Sequence, residues 1–255
     1  GNIIVGGSGK TPVTIALASK YEDVCVILRG YGRASKGLRV VSLRGKILVD
    51  VSESGDEAML FASRLSKATI IVSENRVTAI KKAKEIGCKV VFLDDGFSKY
   101  HIKKFDILLR PKDEPTNIFC LPSGGYREPK SSYVQADIEL VDGKDFKRVV
   151  TITKDREIKE LPAKTIFLTA ISKPKRVLEF LPKGIEMISF PDHYDFLEKD
   201  INEILLKYKG YAIVTTQKDF VKLKKFNIQN LYIMNLDIEF SKNVDFSSLD
   251  RYLKV

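Results

Sequence analysis

The sequence predicts an α/β protein made of two units with mainly parallel sheets. Short apolar runs alternate with helical patterns in both halves of the chain, which is typical of strands covered by helices. Glycine-rich or acidic loops follow several of these runs, where open α/β sheets place functional groups. We expect one unit over residues 1–142, a charged ribbon or linker over 143–164 and a smaller unit over 165–255.

The predicted elements of the first unit follow from apolar runs and their boundaries. Its strands are expected at 3–5, 24–28, 69–72, 89–93, 105–109 and 136–141, and its helices at 13–20, 58–65 and a run ending at 86. Residues 38–51 alternate around Arg44-Gly45 and predict a hairpin. Ser54 and Asp56 are candidate N-caps for the second helix.

The second unit repeats the alternation without an internal sequence repeat. Its strands are expected at 165–169, 186–190, 212–215 and 231–234, with helices at 174–180, 197–208 and 218–226. This order again favours a parallel sheet.

Composition limits the partners. A chain of 255 residues with 44% hydrophobic and 30% charged residues is long enough for two globular domains. The net charge of +10 favours an acidic partner, although the scattered basic residues also fit a solvated surface.

No apolar run approaches the roughly 18 residues of a membrane-spanning helix. Three cysteines without paired spacing indicate packed thiols.

The first dozen residues predict a phosphate-binding loop. The strand ending at Val5 runs into Gly6-Gly7-Ser8-Gly9, then Lys10 and Thr11, then a helix. Glycines let backbone N–H groups converge on phosphate oxygens, a lysine reaches the outer phosphates, and a hydroxyl can bind Mg²⁺. The strict P-loop pattern is not met, because Ile4 stands where it requires glycine. An ordinary glycine-rich turn is the alternative.

Acidic residues supply further candidates. Asp94-Asp95 follows an apolar strand, where an aspartate can bind Mg²⁺, although a turn or helix cap would use the same residue type. Asp56 precedes a helix and could accept a proton from a hydroxyl, or simply cap the helix. His193 stands between Asp192 and Asp195 and could be held oriented and partly charged. Simple bonding to a neighbour in its loop is equally compatible.

Several arginines also follow apolar segments. Arginine in a cleft suits anionic substrate groups, while each arginine alone is more often a surface residue. The candidates are Arg29, Arg33, Arg76 and Arg127.

Taken together, these segments resemble the tetraacyldisaccharide 4′-kinase family. The matching pieces are Gly6 to Pro12, Arg29 to Gly32, Gly55 to Glu57, Asn75-Arg76, Asp94 to Phe97, Leu121 through Pro129, Phe190 to His193, and Thr215 through Asp219. They occur in family order and cover nearly the whole chain.

The resemblance implies a kinase that transfers the γ-phosphate of ATP to the 4′-hydroxyl of tetraacyldisaccharide 1-phosphate, with ATP and Mg²⁺ as cofactors. It implies two α/β/α sandwich domains, the first P-loop NTPase-like, joined by a β-ribbon. It also implies a peripheral protein of the cytoplasmic face of the bacterial inner membrane, anchored by a segment that would precede Gly1, which fits the start of this chain without Met. We expect a monomer that binds no nucleic acid.

The resemblance also assigns roles by position. It makes Asp56 the catalytic base and His193 its partner. It places residues Val5 to Thr11 around the nucleotide and Thr11, Glu57, Asp94 and Asp95 at the metal. Arg29, Arg76 and Arg127 would contact the substrate or phosphates.

Two rival functions use similar residues. A switch ATPase of the ParA/MinD type shares the glycine loop, but its signature lysine before the paired glycines is Val5 here. A nucleic-acid-binding module is disfavoured because Asp56, Asp94 and Asp95 would oppose a polyanion.

Overall fold

The structure, a computed structural model, describes residues 1–5 and 9–254. The strands are β1 (Val24–Leu28), β2 (Arg39–Leu43), β3 (Lys46–Ile47), β4 (Thr69–Val72), β5 (Val90–Leu93), β6 (Ile107–Arg110), β7 (Ile138–Val141), β8 (Phe146–Lys154), β9 (Glu157–Ile158), β10 (Thr165–Thr169), β11 (Glu186–Ser189), β12 (Ala212–Thr216) and β13 (Leu231–Phe240).

The helices alternate with these strands. They are α1 (Lys10–Ala18), α2 (Val51–Ser54), α3 (Asp56–Arg64), α4 (Arg76–Ile86), α5 (Glu198–Lys207), α6 (Gln217–Leu223) and α7 (Ser247–Leu253), with 3₁₀ turns at Lys130–Gln135, Pro174–Phe180 and Lys224–Phe226. The predicted α/β class is confirmed. The helix α7 has no counterpart in the prediction.

The first sheet has the strand order β3-β2-β4-β1-β5. Strand β1 lies parallel to β4 and β5, while β2 and β3 add an antiparallel edge. On one face, Val26 and Ile70 pack with Phe61 of α3. On the other, Ile27 packs with Ala79 of α4. Helices therefore cover both faces, as the continuous apolar strands require.

The second sheet has the order β11-β10-β12-β13-β8-β9. Its first four strands are parallel, and β8 and β9 extend it in antiparallel fashion. The segment predicted as a ribbon therefore supplies two strands of this sheet. Strand β13 runs to Phe240, beyond the predicted end at 234, because its C-terminal half pairs with β8. The predicted domain boundaries stay a prediction.

The start of the chain departs from the predicted strand. Ile4 forms a single bridge with Tyr126, and β6 and β7 form a separate two-stranded parallel sheet. The backbone N–H of Val5 donates to the carbonyl of Gly125 at 2.9 Å, and the N–H of Arg127 donates to that of Ile3 at 2.7 Å. The loop around Tyr126 thus provides hydrogen bonds for the backbone groups of Ile3 and Val5, which a neighbouring strand would provide in a regular sheet.

Two helix starts also differ from prediction. Helix α1 begins at Lys10 because Gly9 caps it in the left-handed region, with φ of 84°. Gly55 caps α3, so the prediction that Ser54 or Asp56 fills this position is wrong. Asp50 instead caps the short helix α2, accepting from the N–H of Glu53 at 3.0 Å. Asp56 is left as the first helical residue, free for contacts across the fold.

None of the helices within the described residues is sufficiently long and apolar to span a bilayer.

The predicted hairpin at Arg44-Gly45 offers a test of the fold. Gly37 and Gly45 both have positive φ, but a Cβ would meet nothing within 4 Å at Gly37 and would lie 1.7 Å from the carbonyl oxygen of Ser66 at Gly45. We expect Gly37→Ala to lower the free energy of unfolding by about 1–2 kcal/mol, the cost of a left-handed alanine. Gly45→Ala should cost clearly more. Urea unfolding checks this, and equal losses would contradict the packing at the turn.

Candidate active site

A cleft of about 760 Å³ lies between the two units. Its walls come from the start of α1, the segments after β1 and β5, the loops after β10 and β11, and the junction of β12 with α6. Of the predicted site residues, it is lined by Gly9, Lys10, Thr11, Arg29, Glu57, Arg76, Asp94, Asp95, Arg127 and His193. Gly6, Gly7 and Ser8 lie outside the described residues. Val5 is exposed and bonds to the Gly125 carbonyl.

Asp56 and His193 meet across this cleft. Asp56 is the first residue of α3 and is 6% exposed. His193 follows β11, and its Nδ1 lies 3.0 and 3.1 Å from the two carboxylate oxygens of Asp56. The N–H of His193 donates to the carbonyl of Ala170 at 3.1 Å, and its φ is 62°. Non-glycine residues in the left-handed region are uncommon, and such conformations are found more often at functional sites.

Two lysines of α6 complete the surroundings of Asp56. The Nζ of Lys218 lies 3.8 Å from Asp56 Oδ2 and 3.3 Å from the Nε2 of His193. The Nζ of Lys222 lies 3.7 Å from the same carboxylate oxygen. Sequence reasoning missed both lysines as site residues, although their spacing of four puts them on one helix face.

The cations decide the ionisation of Asp56. Burial alone would raise the pKa of this carboxyl, but the His193 hydrogen bond and the charges of Lys218, His193 and Lys222 outweigh it and lower the pKa below its usual value. The hydrogen bond to Asp56 raises the pKa of His193, with burial opposing it. The pair therefore favours a carboxylate facing a protonated imidazole.

Asp219 fixes α6 in place. This carboxylate is fully buried, and one of its oxygens accepts from the Thr169 hydroxyl at 2.7 Å and the Ala170 N–H at 3.1 Å, at the end of β10. Its other oxygen has no hydrogen-bond partner but lies 3.6 Å from Lys222 Nζ. Lys222 in turn donates to the carbonyl of Tyr194 at 2.8 Å. The buried lysine therefore links Asp219, which belongs to the second unit, to Asp56.

Lys10 stands at the phosphate end of the cleft. Its Nζ donates to Asn2 Oδ1 at 2.7 Å and lies 3.5 Å from Asp95 Oδ1. Asp95 has a φ of 52° and also pairs with Arg127 at 3.1 Å. Burial raises the pKa of Asp95, but Lys10 and Arg127 outweigh it and the net pKa is lowered.

The negative charge of Asp94 is less well compensated than that of Asp95. It is buried, and burial followed by the charge of Glu57 raises its pKa to about 6, although Lys10 opposes the rise. Asp94, Glu57 and Thr11 line the same cleft, and their oxygen atoms are hard donors of the kind that fits Mg²⁺. The described part of the chain holds no group of three or more His, Cys, Asp or Glu side chains that could hold a metal. Phosphate oxygens and water would have to complete the shell of any Mg²⁺ bound here.

The predicted arginines divide into two groups. Arg29, Arg76 and Arg127 line the cleft. Arg76 is 5% exposed, donates to the Ser73 carbonyl, and leaves its buried Nε without a hydrogen-bond partner. Burial lowers the pKa of Arg76, while Asp94 and Asp95 oppose this. Arg33 instead pairs with Glu74 at 2.6 Å outside the cleft lining.

A lysine that follows a glycine-rich segment and lies beside strand-end aspartates in a nucleotide-sized cleft is typical of P-loop phosphotransferases. A sequence model of the LpxK family, described as tetraacyldisaccharide-1-P 4′-kinase, matches residues 1–254. The chain belongs to this family.

Individual relatives agree. The tetraacyldisaccharide 4′-kinase of Aliarcobacter butzleri is 71% identical over 253 residues, covering 99% of this chain and 81% of the relative. That of Helicobacter acinonychis is 43% identical over 255 residues, covering 99% and 78%. A crystal structure of LpxK from Aquifex aeolicus in complex with ATP is similar with a TM-score of 0.76 and 29% identity, covering 100% of this chain and 86% of that one.

The Asp56–His193 contact can be tested in solution. Because the hydrogen bond to the Asp56 carboxylate, and then its charge, hold the pKa of His193 above its ordinary value, Asp56→Asn should lower that pKa. The chain has only two histidines, so NMR titration of the ring protons resolves both, and the exposed His101 serves as internal reference. A His193 titration midpoint that is the same in both proteins would contradict the contact.

Proposed function

We propose that this protein transfers the γ-phosphate of ATP to the 4′-hydroxyl of tetraacyldisaccharide 1-phosphate in lipid A biosynthesis. The observation that carries the proposal is that His193, which pairs with Asp56, lines the same cleft as Lys10, Thr11 and Asp94-Asp95. Membership of the 4′-kinase family supplies the substrate class.

Phosphoryl transfer needs positioning and charge neutralisation more than covalent chemistry. Lys10, at the first turn of α1, stands where it can hold the outer phosphates together with the helix N-terminus. Arg76 offers a buried, unpartnered N–H group in the cleft wall. Thr11, Glu57 and Asp94, with Asp95 beside them, would hold Mg²⁺, which supplies neutralising charge at the phosphates.

Asp56 would orient the acceptor hydroxyl and take its proton. A base with a lowered pKa is weak, but it is fully ionised at neutral pH. In a loose transition state the proton can leave late, so orientation of the hydroxyl counts for more than base strength. Protonated His193 and Lys218 would hold the carboxylate in place and share the charge change.

The acceptor also suggests where the protein works. An acylated disaccharide resides in a bilayer, so we propose peripheral action at the cytoplasmic face of the inner membrane by a monomer that does not bind nucleic acid. The net charge of +10 favours an anionic leaflet. A ParA/MinD-like switch ATPase is the alternative, because it would use the same loop and aspartates without a lipid acceptor.

A phosphotransfer assay separates these functions. With labelled ATP, Mg²⁺ and tetraacyldisaccharide 1-phosphate in detergent, the unmodified chain should label the lipid. We expect Asp56→Asn to lower the rate about 10²–10⁴-fold, the usual contribution of a general base. The matched control Asp113→Asn removes an exposed carboxylate and should not change the rate.

The outcomes are distinct. Lipid labelling that survives Asp56→Asn would keep the kinase and remove Asp56 as its base. ATP hydrolysis without any lipid labelling would favour the switch ATPase.

Lys222 should set the pH dependence of the same reaction. Its charge helps to lower the pKa of Asp56, so Lys222→Met should raise that pKa. The acid limb of the kcat/KM profile should then move to higher pH by about one unit. Lys222→Arg keeps a cation and should largely restore the limb.

The control for this series is Lys225→Met, which removes a lysine that is 50% exposed and pairs with Asp195 at the surface. Thermal unfolding of each variant fixes a temperature at which all are folded. If folded Lys222→Met shows an unshifted acid limb, Lys222 acts on stability alone.

A further inference from the structure

Three large apolar side chains project from one loop of the first unit. Ile118 is 61% exposed, Phe119 is 66% exposed and Leu121 is 56% exposed. We name these three residues the apolar tip. Single exposed apolar residues are common, but three within four positions form a patch of the kind that marks an interaction site.

The loop that carries the apolar tip is braced by its own hydrogen bonds. Asn117 donates from its side chain to the Ser123 carbonyl at 2.8 Å and accepts from the Phe119 N–H at 3.0 Å. The Leu121 N–H donates to the Tyr126 carbonyl at 2.7 Å. The apolar side chains are therefore presented by a structured loop, so little conformational entropy is lost when they are buried.

The same loop is tied to the cleft. Tyr126 is fully buried and bridges to Ile4, just before the phosphate loop. The next residue, Arg127, lines the cleft and pairs with Asp95. The apolar tip thus belongs to the segment that brings Arg127 to the nucleotide end of the cleft.

The charge pattern favours a lipid partner. Residues 115–126 contain no Asp, Glu, Lys or Arg, in a chain with 30% charged residues and a net charge of +10. An uncharged loop on a protein with net positive charge can enter the acyl region while basic residues elsewhere on the protein attract anionic headgroups.

We propose that the apolar tip inserts into the acyl layer of an anionic phospholipid bilayer. This rests on the proposed function, because insertion of this loop would bring the bilayer that holds a lipid-linked acceptor close to the cleft. Insertion at this loop would hold the cleft against the membrane surface.

The absence of tryptophan from the chain allows a direct test. Phe119→Trp places a sole tryptophan in the apolar tip, and Val134→Trp places one at a site that is 86% exposed in the same unit. On addition of phosphatidylglycerol/phosphatidylethanolamine vesicles, Phe119→Trp emission should shift to the blue and be quenched by lipids with brominated acyl chains. Val134→Trp emission should do neither.

A second measurement tests the apolar tip by co-flotation with vesicles and needs no introduced tryptophan. Replacing Ile118, Phe119 and Leu121 by serine should reduce co-flotation with the same vesicles, whereas Val134→Ser should leave it unchanged. Unshifted and unquenched Phe119→Trp emission overturns the proposal. So does a blue shift that appears without vesicles and grows with protein concentration, which would assign the tip to contact with a second copy of the chain.

The vesicles contain neither acceptor nor ATP, so the result does not depend on kinase activity. The detergent assay with the unmodified chain tests the kinase separately, and the two can therefore fail independently.

Discussion

The active site depends on one buried charge, the carboxylate of Asp56. An ion removed from water costs several kcal/mol unless partners compensate it. Its compensating cations, His193, Lys218 and Lys222, all come from the second unit, whereas Asp56 itself begins α3 of the first. Docking of the two units and ionisation of Asp56 are therefore coupled. Arg64, at the other end of α3, reinforces this by bonding to Gln217 and Asp237 across the same boundary.

The strands that the sequence predicted well are those whose burial is complete. Residues 24–28, 69–72 and 165–169 were predicted with the observed bounds because buried parallel strands are continuous apolar runs. Strand β13 was cut short because Asn235, Asp237 and Glu239 interrupt its apolar run. These residues alternate with apolar ones where β13 pairs with β8, and that partner is set by tertiary structure.

Some residues of the candidate site could likewise be predicted from the sequence, and others could not. Residue type and position after a strand were enough to suggest Asp56, Asp94 and His193. The sequence analysis treats the scattered basic residues, Lys222 among them, as compatible with a solvated surface, yet Lys222 is 4% exposed. A lysine can be buried only where carboxylates pair with its charge. For Lys222 these are Asp219 on the same helix and Asp56, which lies far away in sequence. No local pattern carries that information.

The two ends of the cleft have opposite charge balance. At Asp56 the chain supplies more cations than the carboxylate needs, so the pKa falls. At Asp94, burial and Glu57 leave negative charge in excess, so the pKa rises to about 6. A hydroxyl acceptor fits the first end, where the base is already ionised, and a cation fits the second. The chain alone therefore leaves the negative charge at Asp94 incompletely compensated, and a cation bound there would neutralise it.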